Sequence, residues 1–490
     1  MPKIVDAFNR AYVLTDYNIH KNLDERYEFR KKTINEDESL DQNEKEEAIR
    51  MLSKRYDYDK IITNEGIKRI CDYCNKERLA YSYCEHCVRN YLKEKFSNWT
   101  SENNNIDDLI RKCQLETLGP NKIIEWIPYD NFQNIEYFTK GGFSNIYLAK
   151  WIKGHYIEWS SEEKQLKRNG IENVILKELE SVESANRSWF EEAKSHLTIS
   201  NKWAGIIQCY GLTRNPSNKN YMLVVRQMDT DLRSYLLQNH NLTWKEKIKI
   251  NIDIIDALLR IHNENAIHRD LHSGNILYLQ DYNYWYISDL GFCGPVDKPL
   301  GTVYGNLPYI APEVIAGKGY TKESDIYSVA MLMWEISSGQ PPFINYEYDY
   351  YLAMKIVTGI RPKIVSGTPL KYQELMKRCW DANPKNRPDI NTLWSEMMKI
   401  NKSYHQNHIN DHSNNSQLSV NIGINSNSMN LSCSRIYSFN NLPEPRNATK
   451  DEREAYYNSI QNEFRIPNTE DITYENKFEQ NDEKESKNSN

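Results

Sequence analysis

Long apolar runs are missing from this 490-residue chain. The longest candidate, Tyr327 to Ile336, falls short of the roughly 18 to 20 residues that a bilayer-spanning helix needs, which disfavours a transmembrane receptor. A leader-like core is missing as well. Lys3, Asp6, Arg10 and Asp16 interrupt the start of the chain, which argues against secretion. There is no basic excess: 62 Lys plus Arg face 68 Asp plus Glu, net charge is −6 and the pI is about 6.1, so composition argues against a nucleic-acid partner. The nine cysteines do not form a disulfide pattern. Their number is odd, four cluster and the others are scattered singly. That reads as a reducing compartment with one metal site, hence an intracellular, cytoplasmic protein, the nucleus staying open. No internal repeat is visible. What is present is 39% hydrophobic and 27% charged residues. This suits one large core with polar appendages, and the length suggests about three domains.

Composition divides the chain. Residues 1–65 are charged and short of large apolar residues; a helix over Asn43 to Arg55 is predicted, where Ala48 and Leu52 share a face, but no fold is assigned. Residues 66–100 hold the clustered cysteines. Residues 101–131 read as a linker with a helix from Ile106 to Leu118, stopped by Gly119-Pro120. From 132 to 400 strand-like runs come first (Tyr147 to Trp151, Val174 to Leu179, Ile207 to Leu212, Met222 to Arg226). Amphipathic helices follow: Thr243-Trp-Lys-Glu246 is a capping-box pattern opening a stretch to His262, and Lys322 to Ser338 is closed by Gly339. Strands before helices predict a sheet-rich lobe joined to a helical lobe, an α+β architecture. Residues 401–490, rich in Asn, Ser and charge, are expected to stay disordered.

The most informative string is His268-Arg269-Asp270-Leu271-His272-Ser273-Gly274-Asn275. An Asp and an Asn five apart in a loop can face one pocket, the Asp accepting a hydroxyl proton while the Asn oxygen holds a metal. Nineteen residues beyond Asp270, Ser288-Asp289-Leu290-Gly291 follows the apolar run Trp285 to Ile287 and places a carboxylate at a strand end. Alone, an Asp-x-Gly is usually a turn. The two strings at this spacing resemble the catalytic loop and metal-binding segment of protein kinases.

The resemblance covers about residues 132–400 and implies a two-lobed fold with a small β-rich N-lobe and a helical C-lobe. It implies that Lys177, ending Val174-Ile-Leu-Lys177, grips ATP phosphates and that Glu192 pairs with it, Glu191 being the neighbouring candidate. Asp270 would be the catalytic base, with Arg269 beside it. Asn275 and Asp289 would hold Mg²⁺ or Mn²⁺. Glu313 of Ala311-Pro-Glu would pair with Arg387, and Asp325 would brace the catalytic-loop backbone. The phosphate loop would be Thr139, Lys140, Gly141, Gly142, Ser144 and Ile146, with Arg226 and Met228 at the hinge. It departs from the family, since Thr139 and Ser144 stand where two of three glycines are usual and only Gly141 is kept. Glycine allows the closest backbone approach to phosphate. Ile175 replaces a small alanine and Leu290 a phenylalanine. His272 replaces the lysine usual in serine/threonine kinases, and Asn306 the usual threonine; the residues of tyrosine kinases are missing there too. Cys379-Trp380 is a feature of tyrosine kinases and tyrosine-kinase-like kinases alike; the nearest overall resemblance is to tyrosine-kinase-like enzymes with serine/threonine activity, with tyrosine or dual specificity left open. The expected function is transfer of the ATP γ-phosphoryl group to protein hydroxyls in signalling. The rival is a pseudokinase scaffold, favoured by the altered loop and opposed by the retained Lys177, Asp270, Asn275 and Asp289. Arg269 suggests control by a phosphate on Thr302 or Tyr304 of the activation segment.

Cys71-Asp-Tyr-Cys74 and Cys84-Glu-His-Cys87 form two C-x2-C knuckles nine residues apart. Four thiolates at this spacing predict a closed, structural Zn²⁺ site in a small ribbon, with His86 a bystander. Mixed local charge at the ribbon favours a protein partner or an intramolecular role over nucleic acid, and the tail is a second place for a protein partner. Trp99, Trp126 and Ile127 are expected to dock on the kinase lobe.

Overall fold

The computed structural model describes residues 2–140, 144–180, 189–295, 303–406 and 434–463. The predicted helix near the start is longer than expected. It spans Gln42–Thr63, opened by an Asp41/Glu44 capping box and closed by Asn64 in the left-handed region, φ 54°. It packs with Pro2–Leu14 and Leu23–Asn35 around Ile4, Ala7, Ala11, Ile34, Ala48 and Leu52. Residues 2–65 therefore form a helical module with its own small core. Its core is shared among three helices, and the two later ones are dominated by charged and polar residues, which is why composition hid it.

The cysteine region comprises a short hairpin, Arg69–Ile70 with Glu77–Arg78, and the helix Glu85–Lys93. Val88 and Leu92 of that helix bury against Ile123 and Leu166, flanked by Tyr91, Tyr156 and Trp159. Leu166 and Trp159 belong to a hairpin, Tyr156–Ser160 with Gln165–Arg168, so the cysteine module sits on an extension of the N-lobe.

The N-lobe sheet has six strands, in the order Glu125–Trp126, Cys209–Arg214, Tyr221–Arg226, Glu172–Glu178, Asn145–Trp151 and Phe132–Lys140. The first pair is parallel and the rest antiparallel. Residues 101–131 are more than a linker. The helix Asn104–Leu115 buries Ile106 and Ile110 in the same core as Ala193, Leu197, Leu212 and Leu223, and Glu125–Trp126 is a strand of the sheet. Trp99 and Trp126 pack on that core, and Ile127 enters the opposite one, as the sequence suggested.

The C-lobe is helical. The Thr243/Glu246 capping box opens Trp244–Asn263, and Gly339 at φ 73° closes Lys322–Ser338. Nearly every residue of the latter is buried, as expected of a helix at the centre of a lobe. Among the described residues no helix is long and apolar enough to cross a membrane.

The expected disorder of 401–490 needs correction at 401–406 and 434–463, the part of that range that is described. The helix Ile390–Gln406 runs past 400, a strand forms at Arg435–Tyr437, and a helix at Lys450–Glu463 carries a Thr449/Glu452 cap. The strand forms because Val303–Gly305 supplies its backbone partners, information that is not local to the tail.

Candidate active site and cysteine cluster

Alternation along Glu172–Glu178 buries Val174 and Leu176 on one face of the sheet and turns Ile175 and Lys177 to the other. The Lys177 ammonium lies 3.0 Å from Glu192 Oε1 and 2.6 Å from Asp289 Oδ1. Glu192 is buried on the helix Trp189–Ser195 whereas Glu191 is exposed, which decides between the two candidates. Directly after that helix, His196–Ser200 forms a π-helical turn, and His196 Nε2 accepts from Leu290 N–H at 3.2 Å. Leu290 is fully buried, so an apolar residue is kept where the aromatic is usual.

The hairpin Ile276–Leu279 with Tyr284–Ile287 pairs Ile276 with Ile287. Asn275 and Ser288-Asp289 thus stand side by side at its end. Asn275 Nδ2 donates to the Asp270 carbonyl at 2.9 Å, which leaves the amide oxygen as the end that can face a metal. Asp289 sits at φ 51° and accepts from Gly291 N–H at 3.1 Å. Arg269 is also in the left-handed region, at φ 70°. Asp325 holds the loop there: Oδ2 accepts from His268 N–H at 2.8 Å and Oδ1 from Arg269 N–H at 3.0 Å, with His262 Nε2 at 2.9 Å. Strained backbone fixed by buried hydrogen bonds is typical of functional loops. The Arg387–Glu313 pair is bidentate at 2.7 Å for both bonds.

Asp270 is buried, and its carboxyl is pushed up to about 7, first by burial and then by the Asp289 charge; hydrogen bonds from Ser434 and Tyr304 and the Lys177 charge act the other way. Arg269 turns into the lobe, donating to the Phe292 carbonyl at 3.1 Å. Tyr304 is buried and stacked on Phe292 with centroids 3.6 Å apart, so its hydroxyl is not a surface acceptor for phosphate; Thr302 lies outside the described residues.

The phosphate-loop candidates are less fully placed. Thr139 and Lys140 are exposed at the end of one strand, Thr139 opposite Ile146, and Ser144 is buried. Gly141 and Gly142 lie outside the described residues. Ile146 pairs with Lys177, on the strand next to it. Of the two hinge candidates, Met228 packs on the N-lobe core, while the Arg226 guanidinium lies over the Tyr282 ring at 5.3 Å.

Two participants were not anticipated. Ser434 Oγ donates to Asp270 Oδ1 at 2.7 Å and lies 3.1 Å from His272 Nε2. His272 Nδ1 accepts from Gly274 N–H at 3.1 Å, so in the neutral ring Nε2 carries the proton and donates to Ser434. Burial pulls His272 down to about 3, keeping the ring neutral, and nearby Arg233 and His268 add to this. Only the short run Arg435-Ile-Tyr-Ser-Phe439, richer in large side chains than its surroundings, marked the tail segment in the sequence.

The four cysteine sulfurs lie within 4.8 Å of one another. Cys71 and Cys87 Sγ are 3.8 Å apart, and Cys74 and Cys84 Sγ 3.6 Å. Four sulfurs around a tetrahedral zinc with bonds of about 2.3 Å sit about 3.8 Å apart, so the donor set fits that ion. Burial opposes ionisation of Cys71, yet N–H groups of Cys74 and Tyr73 outweigh it and bring the thiol down to about 7; burial pushes Cys84 up to about 11.

A family model described as protein tyrosine and serine/threonine kinase matches residues 132–397. The chain is similar to a "Probable LIM domain-containing serine/threonine-protein kinase" of Dictyostelium discoideum, 31% identical over 194 residues, 39% of this chain and 30% of the relative. It is also similar to "Probable serine/threonine-protein kinase roco5" of the same organism, 27% identical over 339 residues, 64% of this chain and 11% of the relative. A third relative is "Serine/threonine-protein kinase VIK" of Arabidopsis thaliana, 28% identical over 293 residues, 57% of this chain and 62% of the relative. The alignments thus span between about a tenth and under two thirds of these relatives. A kinase domain implies ATP, a divalent ion and protein substrates. With the model matching over half its length, the chain belongs to the protein tyrosine and serine/threonine kinase family.

Proposed function

We propose that the chain is an active kinase that transfers the γ-phosphoryl group of ATP to serine or threonine hydroxyls of proteins. The observation that carries this reading is the position of Lys177, joined to Glu192 and Asp289 at once. Lys177 would bind the α/β phosphates, oriented by Glu192. Asp270 would take the proton of the acceptor hydroxyl. Asn275 and Asp289 would hold Mg²⁺, or Mn²⁺, which supplies charge neutralisation on the phosphates. Thr139, Lys140, Ser144 and Ile146 would cover the nucleotide, with Arg226 and Met228 at the hinge. Most of the catalysis would be positioning and electrostatic stabilisation. A scaffold without phosphotransfer has no chemical need for this combination. Cys71, Cys74, Cys84 and Cys87 would hold a structural Zn²⁺, and the surrounding module would serve a protein partner. The odd cysteine count, with four clustered and the rest single, favours a reducing, intracellular setting.

The test is incubation of the 490-residue chain with labelled Mg-ATP and a mixed peptide substrate, followed by phosphoamino-acid analysis. Phosphoserine or phosphothreonine is expected, with Asp289→Asn inactive. Incorporation no greater than that of Asp289→Asn would refute the reading.

A further inference from the structure

The segment Ser434–Asn447 lies along the C-lobe in an ordered path. Arg435–Tyr437 pairs antiparallel with Val303–Gly305, Tyr304 opposite Ile436 and Gly305 opposite Arg435. Phe439 stacks on Tyr437 at 5.4 Å and lies 6.5 Å from the Tyr350 ring. Glu444 pairs with Lys318. Arg446 N–H donates to the Val357 carbonyl at 3.1 Å, and Asn447 Oδ1 accepts from Ala382 N–H at 2.9 Å. The segment is thus held at both ends and by a strand pairing.

That pairing delivers one particular atom to the catalytic centre. A Cβ on Gly305 would stand 3.2 Å from Asp270 Oδ1, so a chain paired at Gly305 runs directly beside the carboxylate. Ser434 is the next residue along. Its hydroxyl proton is directed at Asp270 Oδ1, 2.7 Å away, and its oxygen receives His272 Nε2–H at 3.1 Å. This is hydrogen-bond reach for general-base attack. A strand merely covering the surface would not need a hydroxyl at this point.

We propose that Ser434 is phosphorylated by its own catalytic site in cis, and that the unmodified Ser434–Asn447 segment blocks that site to other substrates until this happens. The inference rests on the kinase reading above. In the step, the Ser434 oxygen bonds to the γ-phosphorus of ATP, the bond from that phosphorus to the β,γ-bridging oxygen breaks, and ADP leaves. The Ser434 proton passes to the Asp270 carboxylate. The phosphoserine then carries a charge of about −1.5 to −2 inside a pocket that already contains Asp270 and Asp289. Repulsion and desolvation expel the strand, and the groove along Val303–Gly305 opens. A substrate would enter the same way, by β-strand addition, with its Ser or Thr in the place of Ser434 and an aliphatic residue two positions on, in the place of Ile436. A tyrosine sets its hydroxyl several ångströms farther from the backbone and does not match this spacing. His272 is then a positioning residue for the acceptor hydroxyl.

Tethering gives the segment an effective concentration of order millimolar, against peptide KM values of about 1 μM to 1 mM, so the docked segment should suppress peptide phosphorylation by between about twofold and about a thousandfold. The test uses the 490-residue chain purified after phosphatase treatment, incubated with Mg-ATP and a peptide carrying Ser-Arg-Ile-Tyr. Expected is phosphate on Ser434, formed at a first-order rate that does not change on dilution of the enzyme. The wild type should show a lag in peptide phosphorylation, Ser434→Ala should stay at the suppressed rate, and Ile436→Asp, which disfavours docking of the strand, should start without a lag. Peptide phosphorylation at a constant rate with Ser434 unmodified overturns the proposal and leaves the kinase reading standing. Labelling of Ser434 that slows on dilution overturns the cis step. No transfer to peptide or Ser434 in any variant removes the kinase reading, and this inference with it.

Discussion

Replacing Asp270 by asparagine should make the protein inactive and more stable at once. Burial holds the Asp270 carboxyl at about 7 instead of the usual 3.8. At 1.36 kcal/mol for each of about three pH units, an ionised Asp270 costs the fold up to about 4 kcal/mol. The sign follows from proton binding. Between about pH 4 and 7 the folded protein holds a proton that the unfolded chain has released, so this group's contribution to stability falls as pH rises through that window and is level above it. Asparagine keeps a carbonyl oxygen to accept from Ser434 and carries no charge to desolvate. Asp270→Asn should therefore melt above the wild type at about pH 8, with the difference closing toward pH 4. Phosphotransfer should fall by about 10²- to 10⁴-fold. Thermal melts of both proteins without nucleotide, over that pH range, together with initial rates, check each part. Equal melting temperatures at every pH, or a variant destabilised most at alkaline pH, would refute the burial argument.

Three further outcomes are expected. Cys74→Ser should release stoichiometric zinc, detected by elemental analysis, and abolish hydrogen-exchange protection around Arg69–Lys93 while the C-lobe keeps its own; structural zinc in small modules contributes about 10–16 kcal/mol, so retention of an ordered module without metal would contradict the site. Glu313→Ala removes the carboxylate from the Arg387 guanidinium, whose side chain is fully buried, and leaves it the Asp381 and Glu323 carbonyls. Breaking such a pair costs about 3–5 kcal/mol, measurable by urea unfolding, and a loss below about 1 kcal/mol would show that the pair is dispensable. Tyr304 should carry no phosphate in the active protein, because its ring is stacked on Phe292; phosphosite mapping that finds it modified would show that the segment opens further than this packing allows.

Local signals and the kinase resemblance together made much of the site legible in the sequence. Asp270 and Asn275 share a loop and the four cysteines cluster as their spacing suggested, while Lys177 meets Glu192 and Asp289, and Glu313 meets Arg387, as the resemblance implied. The caps at Thr243 and Gly339 were legible too, since capping depends on residues only a few positions apart. What stayed hidden depends on distant partners. Arg435–Tyr437 becomes a strand only because Val303–Gly305 offers an edge more than a hundred residues away. Ile106 and Ile110 look like the face of an ordinary linker helix until Ala193 and Leu197 are set against them. The role of His272 could not be read from its departure from lysine, because it depends on which ring nitrogen Gly274 occupies.

The strand Glu125–Trp126 has a practical consequence for how the kinase domain can be isolated. It covers the edge of Cys209–Arg214, and the backbones meet so closely that a Cβ on Gly211 would stand 1.8 Å from the Glu125 carbonyl oxygen. A fragment beginning at residue 132, where the family match begins, would bare the hydrogen-bonding groups of that edge and the apolar surface under Ile106 and Ile110. Naked sheet edges are templates for strand addition by other chains, so such a fragment should self-associate and precipitate. A fragment beginning ahead of Asn103, which caps the Ile106 helix, keeps the edge sealed and should remain monodisperse.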